Sequence, residues 1–405
     1  ALVRRVAQSG EVAPEHRDAL NACVQALIRQ HRNEASAGAI PNWFYRIHWD
    51  HKPRNGKVWS RARDPGRWLI LGERGGLGGE LLRLLEREGA SCVLYPATDF
   101  HRNGAGQQGA SWRVDPDWLH GETSDRPPTA FRGIVHLGAL NAPAPDALTA
   151  ASLAQWQDRI CSATLQLVQD LARGDWDVAP KLWLVTHGAI STDDLPLPEN
   201  ALANAVSPRI GQAPLWGMGR VIRLEHPDLW GGLVDLAPER EAREQADALL
   251  AELLDADGED QVALREGRRC VPRLRPVDPA SWGQGLADGA GMARIGAGRT
   301  YLITGGLGSL GLAVAEWMVE RGARSLVLAG RSAASADAAR RVADWEGAGA
   351  RIVVARADIS VESDVARVLG EIGDAMPPLG GIIHAAAVFD DGILLKQDGP
   401  RMSRV

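Results

Sequence analysis

The chain has 405 residues, 45% hydrophobic and 24% charged, with a net charge of -6 and a mean hydropathy of -0.17. This length accommodates two or three domains with cores of their own, and the composition is that of an ordinary soluble globular protein. Lys and Arg are spread evenly, which argues against a nucleic-acid-binding surface; no apolar run reaches the roughly eighteen residues a membrane span needs; and Cys23, Cys92, Cys161 and Cys270 stand too far apart for a zinc site or disulfide framework.

The cysteines read as free thiols of a reducing, cytoplasmic compartment. The N-terminus has neither an initiator Met nor the apolar core of a signal peptide, and "GPRMSRV" stops inside an amphipathic pattern. Both ends read as cut from a longer protein. Residues 1–41 form a helical lead-in, its helix over 14–35 carrying apolar Leu20, Cys23, Val24 and Leu27, which either connect to an upstream domain or pack on the domain that follows.

An aromatic strand, "NWFYRIHWD" (42–50), comes next, then an apolar strand, a glycine turn and an amphipathic helix in "WLILGERGGLGGELLRLLEREGA" (68–90). Strands follow in "CVLYPATD" and "GIVHLGA" (133–139), a helix in "LAQWQDRICSATLQLVQDLA", a strand in "KLWLVTHG" (181–188), a helix around 212–224 and a strand in "GGLVDL" (231–236). "REQADALLAELLD" reads as a helix and "QVALREGRRCVPRL" as a closing hairpin. Strands alternating with helices predict a parallel sheet, so 42–275 is a complete doubly wound domain. Residues 276–298, rich in Gly, Ala and Pro, read as a linker.

The pattern then repeats. "YLITGGLGSLGLAVAEWMVERGA" (301–323) aligns without a gap on 68–90, placing Gly72, Gly75 and Gly78 on Gly305, Gly308 and Gly311. "SLVLAGRS" falls on "CVLYPATD", and "GIIHAAA" (381–387) matches "GIVHLGA". The fold class is therefore α/β, two tandem Rossmann-like doubly wound parallel-sheet subdomains. The second, 299–405, is incomplete and is expected to supply only its first three strands.

A glycine fingerprint alone is weak, since strand-to-helix turns often need glycine for geometry. Comparing the copies sharpens it. Thr304, Gly305, Gly306, Leu307, Gly308, Ser309, Leu310 and Gly311 form a turn suited to a dinucleotide pyrophosphate, with the Thr304 and Ser309 hydroxyls beside a helix N-terminus. Gly306 stands where backbone approaches the phosphates; Glu73 stands in its place in the first copy and would oppose them. At the end of the second strand, Arg331 and Ser332 suit the 2′-phosphate of NADPH, whereas the first copy has Thr98 and Asp99. Asp358, with Ile359, follows the third strand, where its carboxylate can accept from the adenine amino group or cap the next helix. His384, Ala385 and Ala386 follow the fourth strand beside the expected nicotinamide ribose, though His384 can equally be a satisfied strand-end histidine.

"TYLITGGLGSLG…LVLAGRS…ADIS…GIIHAAAVFDDGIL", preceded by its own degenerate copy, resembles the ketoreductase domain of modular type I polyketide synthases over roughly residues 42–405. "WGMGRVIRLEHPDLWGGLVDL" (216–236) resembles the late part of that family's structural subdomain. The resemblance implies a cofactor-free structural subdomain ahead of a short-chain dehydrogenase/reductase subdomain. The implied reaction is NADPH-dependent reduction of a β-ketoacyl thioester, held on the phosphopantetheine of an acyl carrier protein, to a β-hydroxyacyl thioester. It also implies neighbouring synthase domains in the same polypeptide as partners, and no nucleic acid, membrane or metal. Phe389, Asp390 and Asp391 stand where the family's B-type members, which form the D-alcohol, carry Leu-Asp-Asp; the alternative is an acidic loop that caps a helix.

The family's chemistry needs a Tyr to protonate the alkoxide, a Lys to lower its pKa and a Ser to bind the carbonyl. Tyr45, Tyr95 and Tyr301 all sit in or beside predicted strands and none fits, and Lys396 lies too early. No catalytic residue is assigned in this chain. A non-catalytic pseudo-ketoreductase scaffold is the alternative, and the intact Gly306, Arg331 and Ser332 count against it.

Overall fold

The computed structural model describes residues 43–54, 65–96, 131–192, 209–255, 257–277 and 295–404. The lead-in helix over 14–35, most of the 276–298 linker, Thr98 and Asp99 lie outside the described residues. The chain divides into two compact units: the first takes everything up to Gly285 together with Gly392–Met402, and the second takes Leu286–Asp391 and Ser403–Val405.

In the first unit the order is β1 (Tyr45–His51), β2 (Arg67–Leu71), α1 (Gly76–Arg87), β3 (Ser91–Tyr95), β4 (Phe131–His136), α2 (Ala150–Arg173), β5 (Lys181–His187) and α3 (Pro214–Glu225). It continues with β6 (Trp230–Leu236), α4 (Ala242–Leu254), β7 (Gln261–Arg265) and β8 (Arg268–Pro276). These strands make one sheet in the order β1-β8-β7-β6-β5-β4-β2-β3, parallel from β3 to β7. β2 shows why: Leu69 and Leu71 enter the core on one face while Trp68 and Ile70 enter the core on the other, as a strand covered on both sides requires. The turn between β7 and β8 is Glu266-Gly267, with φ of 49° and 74°, the paired positive values of a two-residue hairpin. The Thr149 hydroxyl accepts from the Ser152 amide, and the Ser152 hydroxyl accepts from the Thr149 amide, so α2 begins on a capping box. β1 pairs antiparallel with β8, from Tyr45 opposite Pro276 to His51 opposite Cys270, and so joins the start of the domain to its end.

The second unit runs β9 (Thr300–Thr304), α5 (Ser309–Glu320), β10 (Ser325–Gly330), α6 (Ala336–Gly347), β11 (Arg351–Arg356), α7 (Glu362–Ala375) and β12 (Leu379–His384). Its sheet is parallel throughout, in the order β11-β10-β9-β12. The count of three strands is corrected to four, the fourth being the "GIIH" strand already read ahead of His384; it pairs with β9, opposing His384 to Thr304. A 3₁₀ turn (Leu394–Lys396) and α8 (Gly399–Arg404) follow. Residues 392–402 belong to the first unit, where Leu394 is buried, its amide donates to Glu225 at 2.7 Å, and the Gln169 amide donates to the Leu394 and Gln397 carbonyls at 2.8 and 2.9 Å.

Cys92, Cys161 and Cys270 are free thiols; burial above all, with Glu86 and Asp158 nearby, pushes the Cys92 and Cys161 thiols up to about 11. Among the described residues, no helix is long and apolar enough to cross a membrane.

Candidate functional site

In the second unit, the chain leaves β9 toward β10 on one side and meets β12 on the other, so the carboxyl end of β9 is the point where strand order reverses. Such a point opens a crevice in a doubly wound sheet. A cavity of about 930 Å³ lies there, lined by the glycine turn, the ends of β10 and β11, and the segment after β12. This volume suits a dinucleotide-sized ligand.

Backbone geometry makes the turn. Gly305 has a φ of 64°, and a Cβ there would lie 2.6 Å from the Ala385 carbonyl oxygen. A Cβ on Gly311, in the first turn of α5, would lie 2.3 Å from the Gly305 oxygen, so helix and turn can approach only without side chains. The first amides of α5 have no partner within the helix and suit an anion.

Ten of the expected residues line the cavity: Gly305, Leu307, Gly308, Arg331, Ser332, Asp358, Ile359, His384, Ala385 and Ala386. Arg331 is exposed at the end of β10 and makes no salt bridge with a carboxylate of the described residues, while its charge lies close enough to help lower the Asp358 pKa. The Ser360 hydroxyl and amide, donating to Asp358 at 2.7 and 3.0 Å, are the main cause of that lowering. Asp358 does not cap α7, which follows Val361 without a side-chain cap.

Other expected residues stand apart from the cavity. The Thr304 hydroxyl does not reach toward an anion; it lies 2.8 Å from His384 Nδ1 and accepts from the Ala385 and Ala386 amides at 3.2 and 3.4 Å. Its role is to fix the end of β12, because β9 and β12 oppose these residues in register. Gly306 is buried and its amide donates to Ala329 at 3.2 Å, while a Cβ would lie 2.8 Å from the Ile303 oxygen and 2.9 Å from Leu328. Glycine is required there for packing on β10. Ser309 and Leu310 are exposed at the start of α5, and Leu310 points away from the core. Phe389, Asp390 and Asp391 follow the cavity wall; Phe389 is 81% exposed and Asp390 accepts from Arg404 at 2.6 Å. The 3₁₀ turn Leu394–Lys396 takes no side-chain cap from the acidic loop. Tyr45, Tyr95 and Tyr301 are all outside the cavity, and the Tyr301 hydroxyl accepts from the Gly296 amide at 2.7 Å.

The first unit has a glycine turn at the corresponding place with a different backbone, its left-handed glycine being Gly76 rather than Gly72, and a different filling. Leu137, the counterpart of Ala385, is buried, and its side chain would lie 3.0 Å from a Cβ on Gly72. Leu137 thus occupies the space beside the turn, and Glu73 is exposed on the turn itself.

Residues 299–405 match the family model described as KR domain, and residues 109–274 match the Rossmann fold domain of polyketide synthase extender module SpnB. The chain belongs to the ketoreductase family of modular polyketide synthases. It is 31% identical over 391 residues to polyketide synthase GfsA of Streptomyces halstedii, covering 92% of this chain and 5% of that protein. Among solved structures it resembles a C2-type ketoreductase from a modular polyketide synthase, with a TM-score of 0.63 and 28% identity, covering 89% of this chain and 69% of that one. It also resembles an A1-type ketoreductase, with a TM-score of 0.64 and 28% identity over 90% and 68% of the two chains. This ketoreductase chain thus spans about a twentieth of the synthase relative and about two thirds of the solved domains.

Sequence reasoning missed several of the ketoreductase's lining residues, including Ser335, Ala357, Ser360, Val388 and Arg404. Small residues and a distant helix end carry no motif. Leu137 was legible, since it stands opposite Ala385 when "GIVHLGA" is set on "GIIHAAA".

Proposed function

We propose that this ketoreductase region uses NADPH to reduce a β-ketoacyl thioester, held on an acyl carrier protein within a cytoplasmic modular synthase, to the β-hydroxyacyl thioester. The observation that carries the reading is the open crevice of the second unit with Arg331 at its rim. A cation that makes no salt bridge with a carboxylate of the described residues, at the end of β10, is what a 2′-phosphate needs, and Ser332 adds a hydroxyl beside it.

The turn through Gly305 and Gly308, with the start of α5, would hold the pyrophosphate. Asp358 and Ile359 would hold the adenine, and His384, Ala385 and Ala386 the nicotinamide ribose. NADPH, when bound, supplies a hydride for the ketone carbon. This chain's own residues bind and orient: Thr304 fixes His384, with two amides donating to its oxygen and its own proton left for Nδ1. Residues 42–275 act as a cofactor-free structural subdomain, with Leu137 packed beside its turn, 1–41 as the lead-in from an upstream domain, and 276–298 as the linker to the NADPH-binding part, 299–405. The open crevice also disfavours a scaffold role, because the corresponding place beside the first unit's turn holds the buried Leu137 side chain.

Phe389-Asp390-Asp391 support B-type stereochemistry, so chiral analysis of the synthase's β-hydroxyacyl product should return the D-alcohol. Fluorescence titration tests the cofactor directly. NADPH should bind more tightly than NADH, and Arg331→Ala should weaken NADPH by about tenfold while leaving NADH unchanged. Equal affinity of the wild-type protein for both would remove the 2′-phosphate assignment.

A further inference from the structure

Arg356 ends β11 directly opposite Gly330, the last residue of β10. Gly330 has no side chain, so the Arg356 side chain can lie across bare backbone toward the residue that follows. Its Nε donates to the Arg331 carbonyl at 3.3 Å, which brings the two arginines together at the ends of adjacent parallel strands. Cavity-lining residues flank this contact on both strands: Arg331 and Ser332 follow β10, and Ala357 and Asp358 follow Arg356 itself. Arg356 is exposed and, like Arg331, makes no salt bridge with a carboxylate of the described residues. A third arginine there behaves differently. Arg367 on α7 donates to the Arg356 carbonyl at 2.6 Å, but its charge is met by Glu371 at 2.9 Å and Asp364 at 3.7 Å.

We propose that Arg356 is a second specificity-determining residue for the phosphorylated cofactor, its guanidinium sharing the 2′-phosphate with Arg331. The proposal rests on the cofactor reading above. A phosphate monoester carries close to two negative charges at neutral pH, more than one guanidinium neutralises. Two neighbouring cations without salt-bridged carboxylates repel each other until an anion joins them, and phosphate geometry suits the planar fork of arginine. With Nε spent on the Arg331 carbonyl, the terminal amino groups of Arg356 remain to donate to phosphate oxygens. The same bond steadies the main chain that carries Arg331. Both side chains are exposed, so water and salt screen them and the added effect is modest.

Fluorescence titration of the whole chain with NADPH and with NADH tests this. Arg356→Ala should weaken NADPH about fivefold and leave NADH unchanged. Arg356→Gln can keep a hydrogen bond to the Arg331 carbonyl but carries no charge, and it should lose as much as Arg356→Ala; Arg356→Lys should lose less. With Arg331→Ala and Arg356→Ala combined, NADPH should bind no better than NADH. Three results overturn the proposal: a wild-type preference for NADPH kept in full by Arg356→Ala, its restoration in Arg356→Gln, which would make Arg356 a brace of the backbone only, or a loss shared equally by the two cofactors. Equal binding of both cofactors by the wild-type protein is a different result: it removes the cofactor reading, and this proposal with it.

Discussion

An alanine at Gly305 would have to adopt a φ of 64° and place its methyl 2.6 Å from the Ala385 oxygen. The left-handed conformation alone costs about 1–2 kcal/mol, and the contact moves the end of β12, which is also the cavity wall. Gly305→Ala should therefore lower stability by roughly 2 kcal/mol in urea unfolding and abolish NADPH binding in the same preparation. Gly306 carries a different lesson. Its amide is spent on Ala329 and its missing side chain makes room for Leu328, so glycine is needed there by the sheet. A motif records which residue is required and leaves open which neighbour requires it. Thr304 is similar: the sequence places its hydroxyl near the turn, but only the register of β9 on β12 shows that it serves His384 and the next two amides.

Among the elements, the strand β1 shows what period-two patterning cannot reveal. Its existence was legible in "NWFYRIHWD", but its partner β8 lies more than two hundred residues away, and alternation does not identify a partner. A charged cluster accompanies this closure. Arg269, 6% exposed on β8, donates to both Glu252 oxygens at 2.8 and 3.1 Å and to Asp257, while Glu252 is also met by Arg54 at 2.6 Å. Removing one partner of a buried pair leaves a charge without compensation. Arg269→Ala should cost roughly 3 kcal/mol in urea unfolding, tempered by the remaining Arg54 contact. Burial by itself would raise the Asp257 carboxyl, but the Arg269 fork, the Glu259 amide and Lys52 outweigh it and hold the carboxyl down at about 2. A carboxyl lowered on folding stabilises above its unfolded pKa of about 3.9 and loses that contribution as pH falls through the folded value. Unfolding midpoints should therefore drop between about pH 4 and pH 2, and Asp257→Asn should flatten the drop over that window.

At the scale of the molecule, two copies of one pattern were visible in the sequence, down to the alignment of six glycines, and each built a sheet whose central strands are parallel. The fourth strand of the second sheet was legible as the "GIIH" strand ahead of His384, although the count of three left it out; the structure pairs it with β9. The difference between the copies was read from Glu73 and Arg331, charges at the rim. The structure adds a steric difference inside: Leu137 in the first copy against Ala385 in the second. An apolar-to-apolar exchange leaves hydrophobic patterning unchanged, which is why pattern reading passed over it.

The central claim is that one copy binds NADPH and the other does not. Calorimetric titration of the whole chain with NADPH measures this most directly. One NADPH should bind per chain, binding should vanish in Gly305→Ala, and Leu137→Ala should leave the stoichiometry at one. Two sites per chain, or heat of binding that survives Gly305→Ala, would contradict it.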